Sequence, residues 1–140
     1  MNLDRAACDL LVERSGHGVL ATRHPRRGVD AVPVCFAVAD GRVGIPVDTV
    51  KPKASVDLQR ERNLDGDPRA ALLCDHWDPA DWSRLWWVRV TLERITGSSD
   101  ERSALESLLL GKYQQYEGRP FARLLVFEIT GVCGWSAAPG

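Results

Sequence analysis

The chain has 140 residues with 18 Lys and Arg against 19 Asp and Glu, for a formal net charge of −1. That near-neutral balance excludes a general electrostatic grip on nucleic acid, which needs many uncompensated cations. The length suits one domain, residues 1–140, able to bury a core without disulfides or a structural metal.

From the start, residues 2–14 carry Asp4, Arg5, Asp9 and Glu13 where a signal peptide would need an apolar stretch. No apolar run approaches the length of a membrane span, so the expectation is a soluble, cytoplasmic protein without membrane insertion. Leu3, Ala6, Ala7, Leu10 and Leu11 recur at helical spacing and predict an amphipathic lid helix, with Asn2 as N-cap and Gly16 just past its end. Residues 17–23 and 30–39, rich in Val and Ala, predict an antiparallel hairpin across Pro25-Arg26-Arg27-Gly28. Asp40-Gly41 suits a type I′ turn into a third strand at 43–47. Pro33 and Pro46 cannot donate to a ladder and point to sheet edges or bulges.

Between the third and fourth strands stand Asp48-Thr49-Val50-Lys51-Pro52-Lys53, then Arg60-Glu61-Arg62-Asn63-Leu64, then Asp67-Pro68-Arg69. A helix entered at Pro52 would hold Lys51 and Lys53 where free N–H groups and the macrodipole favour an anion. Arg60 follows Lys53 by two helical turns and would share its side, so the three cations read as a phosphate clamp. On residue frequency alone, Lys51-Pro52-Lys53 reads first as a solvated loop.

Residues 70–74 and 85–95 predict two more strands, joined by a polar, aromatic loop at 75–82. Ser98 with Glu101 forms a capping box, and Ala104, Leu105, Leu108 and Leu109 stripe a helix ending at Gly111. Residues 124–129 form the last strand. About six strands and three helices, without regular βαβ alternation, predict a mainly β fold: a small, closed or nearly closed antiparallel barrel with peripheral helices.

The four cysteines, Cys8, Cys35, Cys74 and Cys133, form no C-x-x-C pair and read as buried free thiols in a reducing compartment. His17, His24 and His76 lack metal-ligand spacing, and no metal site is expected. Trp86 and Trp87 suit core and interface, while loop-borne Trp77 and Trp82 suit either packing or stacking on a flat ligand. Lys112, Tyr113, Gln115 and Tyr116 either line a substrate pocket or cover the barrel end.

In order, HGVLATR, DAVPVCFAV, DGRVGIPVDTVKPK, QRERNLDGDPRAALLCD and LWWVRV resemble the pyridoxamine 5′-phosphate oxidase-like (PPOX class) superfamily, whose fold is the FMN-binding split β-barrel. Within it the chain is most similar to the deazaflavin-dependent oxidoreductases, which use coenzyme F420. The resemblance spans nearly the whole chain. It implies a homodimer with the cofactor in a groove between two barrels. The cofactor phosphate would rest on Lys51, Lys53 and Arg60, with Thr49, Pro52 and backbone amides completing the clamp. The ring would lie along Val32, Pro33 and Val34. Gln59-Arg60 stands where flavin-binding relatives commonly carry an Arg-Lys pair, leaving one bidentate donor.

The resemblance implies hydride transfer between the deazaflavin, or alternatively FMN, and an electron-poor small molecule such as a quinone, enone or nitro compound. No catalytic side chain is then required, since the cofactor carries the hydride. Two alternatives use the same barrel: an FMN-dependent oxidase-like enzyme, and a non-catalytic binding or storage protein for deazaflavin, flavin, haem or lipid. A single-strand nucleic-acid surface lacks both the charge and the interleaved basic and aromatic positions.

Overall fold

A computed structural model describes residues 1–48, 58–118 and 121–138. The first helix, α1 (Arg5–Arg14), starts at Asp4, whose carboxylate accepts from the Ala7 amide at 2.8 Å. Asp4 replaces the expected Asn2 because a capping oxygen must stand directly before the first turn. Asn2 instead bridges to Trp135. The helix buries Cys8 and Val12, and of the expected stripe Leu3 and Leu11 pack against the core while Ala6 and Leu10 are exposed.

Seven strands follow: β1 (Gly18–His24), β2 (Gly28–Val34), β3 (Ala37–Ala39), β4 (Arg42–Asp48), β5 (Arg69–His76), β6 (Trp86–Ile95) and β7 (Phe121–Ser136). They form one antiparallel sheet in the order β2-β1-β5-β6-β7-β4-β3. The single strand expected over 30–39 is two strands, which accounts for seven where about six were expected. At Cys35 and Phe36 the chain leaves the ladder, and its continuation pairs with β4 at the opposite margin of the sheet.

The bend survives because Phe36 is fully buried and its backbone finds other partners. Its N–H donates to the Tyr113 hydroxyl at 3.1 Å, and its carbonyl accepts from Lys112 Nζ at 3.0 Å. No ladder joins β2 to β3 among the described residues, so the barrel is split rather than closed. Asp40 and Gly41 carry φ of 50° and 76°, the positive pair that a type I′ turn requires between β3 and β4. Pro33 lies on margin strand β2, and Pro46 lies beyond Gly44, where pairing with β3 stops.

The helix α3 (Ser99–Lys112) packs over β3 and carries the expected capping box: the Glu101 amide donates to Ser98 Oγ at 3.1 Å, and the Ser98 amide to Glu101 Oε1 at 2.9 Å. Leu105 and Leu109 are buried, whereas Leu108 of the predicted stripe is 45% exposed. Gly44 lets the helix close down, since a Cβ there would stand 3.0 Å from Leu105 Cβ. The main core gathers Leu20, Phe36, Ile45, Leu72, Val88 and Phe127 from six different segments. Cys8 and Cys74 are buried as expected, but Cys35 is half-buried and Cys133 is exposed, because strand alternation turns Cys133 to the outside. No helix of the described residues is long and apolar enough to cross a membrane.

Candidate functional site

The helix carrying Arg60 is α2 (Gln59–Gly66). Leu58 before it is extended, with φ −95° and ψ 142°, so one helix running from Pro52 through Arg60 is corrected to a helix that starts at Gln59. Thr49, Lys51, Pro52 and Lys53 lie outside the described residues. Arg60 is half-buried in the first turn, where Leu58 offers no side-chain cap to the N–H groups.

What locates Arg60 is Asn63, only 2% exposed. Its amide donates to Thr22 Oγ1 at 3.0 Å on β1 and to Asp30 Oδ2 at 2.9 Å on β2, and its oxygen accepts from Gln59 Nε2 at 2.9 Å. Arg27 closes the network with two bonds to Asp30, of 2.9 and 2.8 Å. The hydrogen bonds from Arg27, then from Asn63, hold the Asp30 carboxyl down to about 2. On its other flanks α2 is tied to β7 by the fork of Arg123 on Glu61, at 2.6 and 2.9 Å, and to β6 by Arg94 on Asp65 at 2.9 Å. Arg60 is thereby carried by a short helix anchored on three sides.

Strand alternation sorts the residues expected along the ring. Val34 is buried and Val32 packs against the core, on the same side of β2 as Asp30, so α2 and these two valines share one side of the hairpin. Pro33 points to the opposite, outer face and is exposed. One face therefore does not present Val32, Pro33 and Val34 together.

That outer face holds a feature that reading for motifs missed. Pro33 pairs with Val19 and Ala31 with Ala21, and those two strand-β1 residues pair on their other side with Leu73 and Ala71. All six side chains are apolar and lie outward on adjacent strands, with Leu73 39% exposed and Val29 beside them 64% exposed. The signal was present: residues 19–21, 31–34 and 70–73 lack the polar alternation that a one-sided sheet would show. A contiguous apolar face of this kind marks a contact surface.

At the far end of β1 from α2, the Tyr113 hydroxyl bonds the Gly16 carbonyl at 2.9 Å as well as the Phe36 backbone. The Trp77 and Trp82 rings stand exposed in the β5–β6 loop, 5.7 Å apart and tilted by 43°. Trp86 packs against the core, while Trp87 lies beneath the Arg89 guanidinium at 5.5 Å. Among the described residues, no group of His, Cys, Asp or Glu is placed to hold a metal ion.

No family model matches the chain, and no curated protein matches it in sequence. Solved structures do. A conserved hypothetical protein from Mycobacterium tuberculosis superposes with a TM-score of 0.73 at 17% identity, over 96% of this chain and 86% of that one. An F420 reductase matches with a TM-score of 0.59 at 21% identity, over 89% and 94% of the two chains. A putative pyridoxamine 5′-phosphate oxidase from Corynebacterium glutamicum gives 0.59 at 14% identity, over 96% and 90%.

Proposed function

From the split β-barrel fold shared with pyridoxamine 5′-phosphate oxidase-like proteins, we propose that this chain is a coenzyme F420-dependent oxidoreductase acting on an electron-poor small molecule, a quinone, enone or nitro compound. It works in the cytoplasm as a homodimer, with the cofactor in a groove between two copies. The observation that carries this reading is the anchoring of α2 by Asn63, which holds Arg60 in the first turn of the helix beside the inner side of β2. A guanidinium in the first turn of a helix suits a cofactor phosphate, because both its charge and the helix macrodipole favour an anion. Likeness to an F420 reductase, the highest in identity of the three structures, favours the deazaflavin over FMN.

When bound, the reduced deazaflavin supplies the hydride. The chain's own work is to grip the phosphate through Lys51, Lys53, Arg60 and Thr49, to seat the ring along β2 beside the half-buried Val32, since Val34 belongs to the core, and to shield the site from water. The apolar outer face around Leu73 and Pro33 supplies the contact with the second copy. The four cysteines are free, as suits a reducing compartment.

The test is a fluorescence titration of the purified protein with coenzyme F420 and, in parallel, with FMN, on the native chain and on Arg60→Ala. Selective deazaflavin binding, weakened in the variant by about 1–3 kcal/mol for one lost charge-assisted bond, is expected. Preference for FMN would move the chain to an oxidase-like role, and binding of neither would leave a non-catalytic barrel.

A further inference from the structure

The ion pairs between described residues, such as Arg5–Asp9, Arg42–Glu101 and Arg123–Glu61, are made by arginine. The chain's only lysines are Lys51, Lys53 and Lys112. Lys112 is the last residue of α3 and is half-buried. Its Nζ donates to the Phe36 carbonyl at 3.0 Å and sits 3.9 Å above the centre of the Phe36 ring, with no carboxylate of the described residues within ion-pairing distance. It lines a cleft of about 470 Å³ between α1, β3 and α3, whose walls include Ala37, Val38 and Leu108.

A half-buried cation that only had to stay charged is best supplied by arginine, which does not lose its proton, whereas lysine does so when desolvated. Burial pushes the Lys112 amine below its usual value, while the aromatic ring and the C-terminal end of α3 favour the charged form. The groups around it are Glu13 from α1, the Cys35 and Cys74 thiols, and the Tyr113 hydroxyl, whose ring lies 5.3 Å away. Tyr113 is pushed up to about 12, chiefly by burial, so it stands beside the amine as a neutral hydroxyl. It shares the Phe36 carbonyl with Lys112, at 3.2 Å. Glu13 on the same cleft repels an anionic ligand, and the apolar walls suit an uncharged one.

We propose that Lys112 is a nucleophilic amine that captures small, apolar aldehydes or ketones in this cleft as a reversible imine. The amine lone pair forms a bond to the carbonyl carbon. The two protons of the uncharged amine pass to the carbonyl oxygen, which leaves as water, so that a C=N bond replaces C=O and nothing is oxidised or reduced. The cleft is built from residues other than the phosphate clamp, so the inference stands apart from the cofactor assignment.

The test treats the native chain, without cofactor, with benzaldehyde and cyanoborohydride, and maps the reduced adduct over the three lysines by mass spectrometry. An uncharged aldehyde avoids attraction to Lys51 and Lys53 as an anion site. Saturable adduct at Lys112, formed faster than at Lys51 or Lys53, is expected. Lys112→Arg should lose that adduct with its thermal midpoint unchanged, and Leu108→Trp, which fills the cleft from an exposed position, should slow it. Labelling of Lys112 no faster than of the other two lysines, or a rate unaffected by Leu108→Trp, would overturn the proposal.

Discussion

Asn63 decides more than its size suggests. It is one of the two buried polar residues among those described, the other being its partner Thr22. Replacing it with Ala leaves Thr22 Oγ1 without its donor and takes one of three hydrogen bonds from Asp30, and the expected cost is about 1–3 kcal/mol in urea denaturation. A variant as stable as the native chain would show that α2 is held by Glu61 and Asp65 instead. Asp30 and Asp67 are both held down to about 2, by Arg27 and Arg69 first. An unfolded aspartate titrates near about 3.9, so these groups contribute fully above about pH 4 and lose that contribution as pH falls through about 2. Thermal midpoints recorded down that range should fall, and Asp30→Asn should flatten the fall. The effect is modest, because the Arg27–Asp30 pair faces water. Asn63 was visible in the sequence only as part of a family motif, since its partner Thr22 is 41 residues away.

Among the elements, those with local signals were legible. The capping box of α3 joins Ser98 and Glu101, three residues apart, and the geometry follows from that spacing. Ser98→Ala should cost about 1 kcal/mol of stability and leave cofactor affinity unchanged. A change in affinity would mean that α3 takes part in the cofactor site. The Asp40-Gly41 turn was legible for the same reason, as its positive φ values are a property of those two residues. The break between β2 and β3 was not, because Cys35 and Phe36 are good strand residues. It takes the Lys112 and Tyr113 side chains, more than 70 residues on, to satisfy the backbone there. The start of α2 was misjudged because Pro52 is a sound first-turn residue, yet Leu58 is extended.

At the scale of the whole molecule, the outer face of β2, β1 and β5 is an apolar surface that no other described element covers. Stable dimers bury about 800 Å² on each side, and a three-strand apolar face is suited to that task. Leu73→Glu places a charge at its centre without entering the core, since Leu73 is already 39% exposed. On the proposed homodimer, light scattering should report a dimer for the native chain and a monomer for the variant, with cofactor affinity lost alongside. A dimer that survives the substitution would move the second copy to another face, and a native monomer would overturn the proposed homodimer.

By itself the sequence determined the fold class, the helices at α1 and α3 and the hairpins, because caps, turns and periodicity are short-range. Tertiary structure decided that the barrel is split, that Val32 and Val34 face inward while Pro33 faces out, and that α2 is pinned through Asn63. Each of these depends on which strands become neighbours, and so on contacts between residues tens of positions apart. Burial of the core selects those neighbours, and no local pattern encodes that choice.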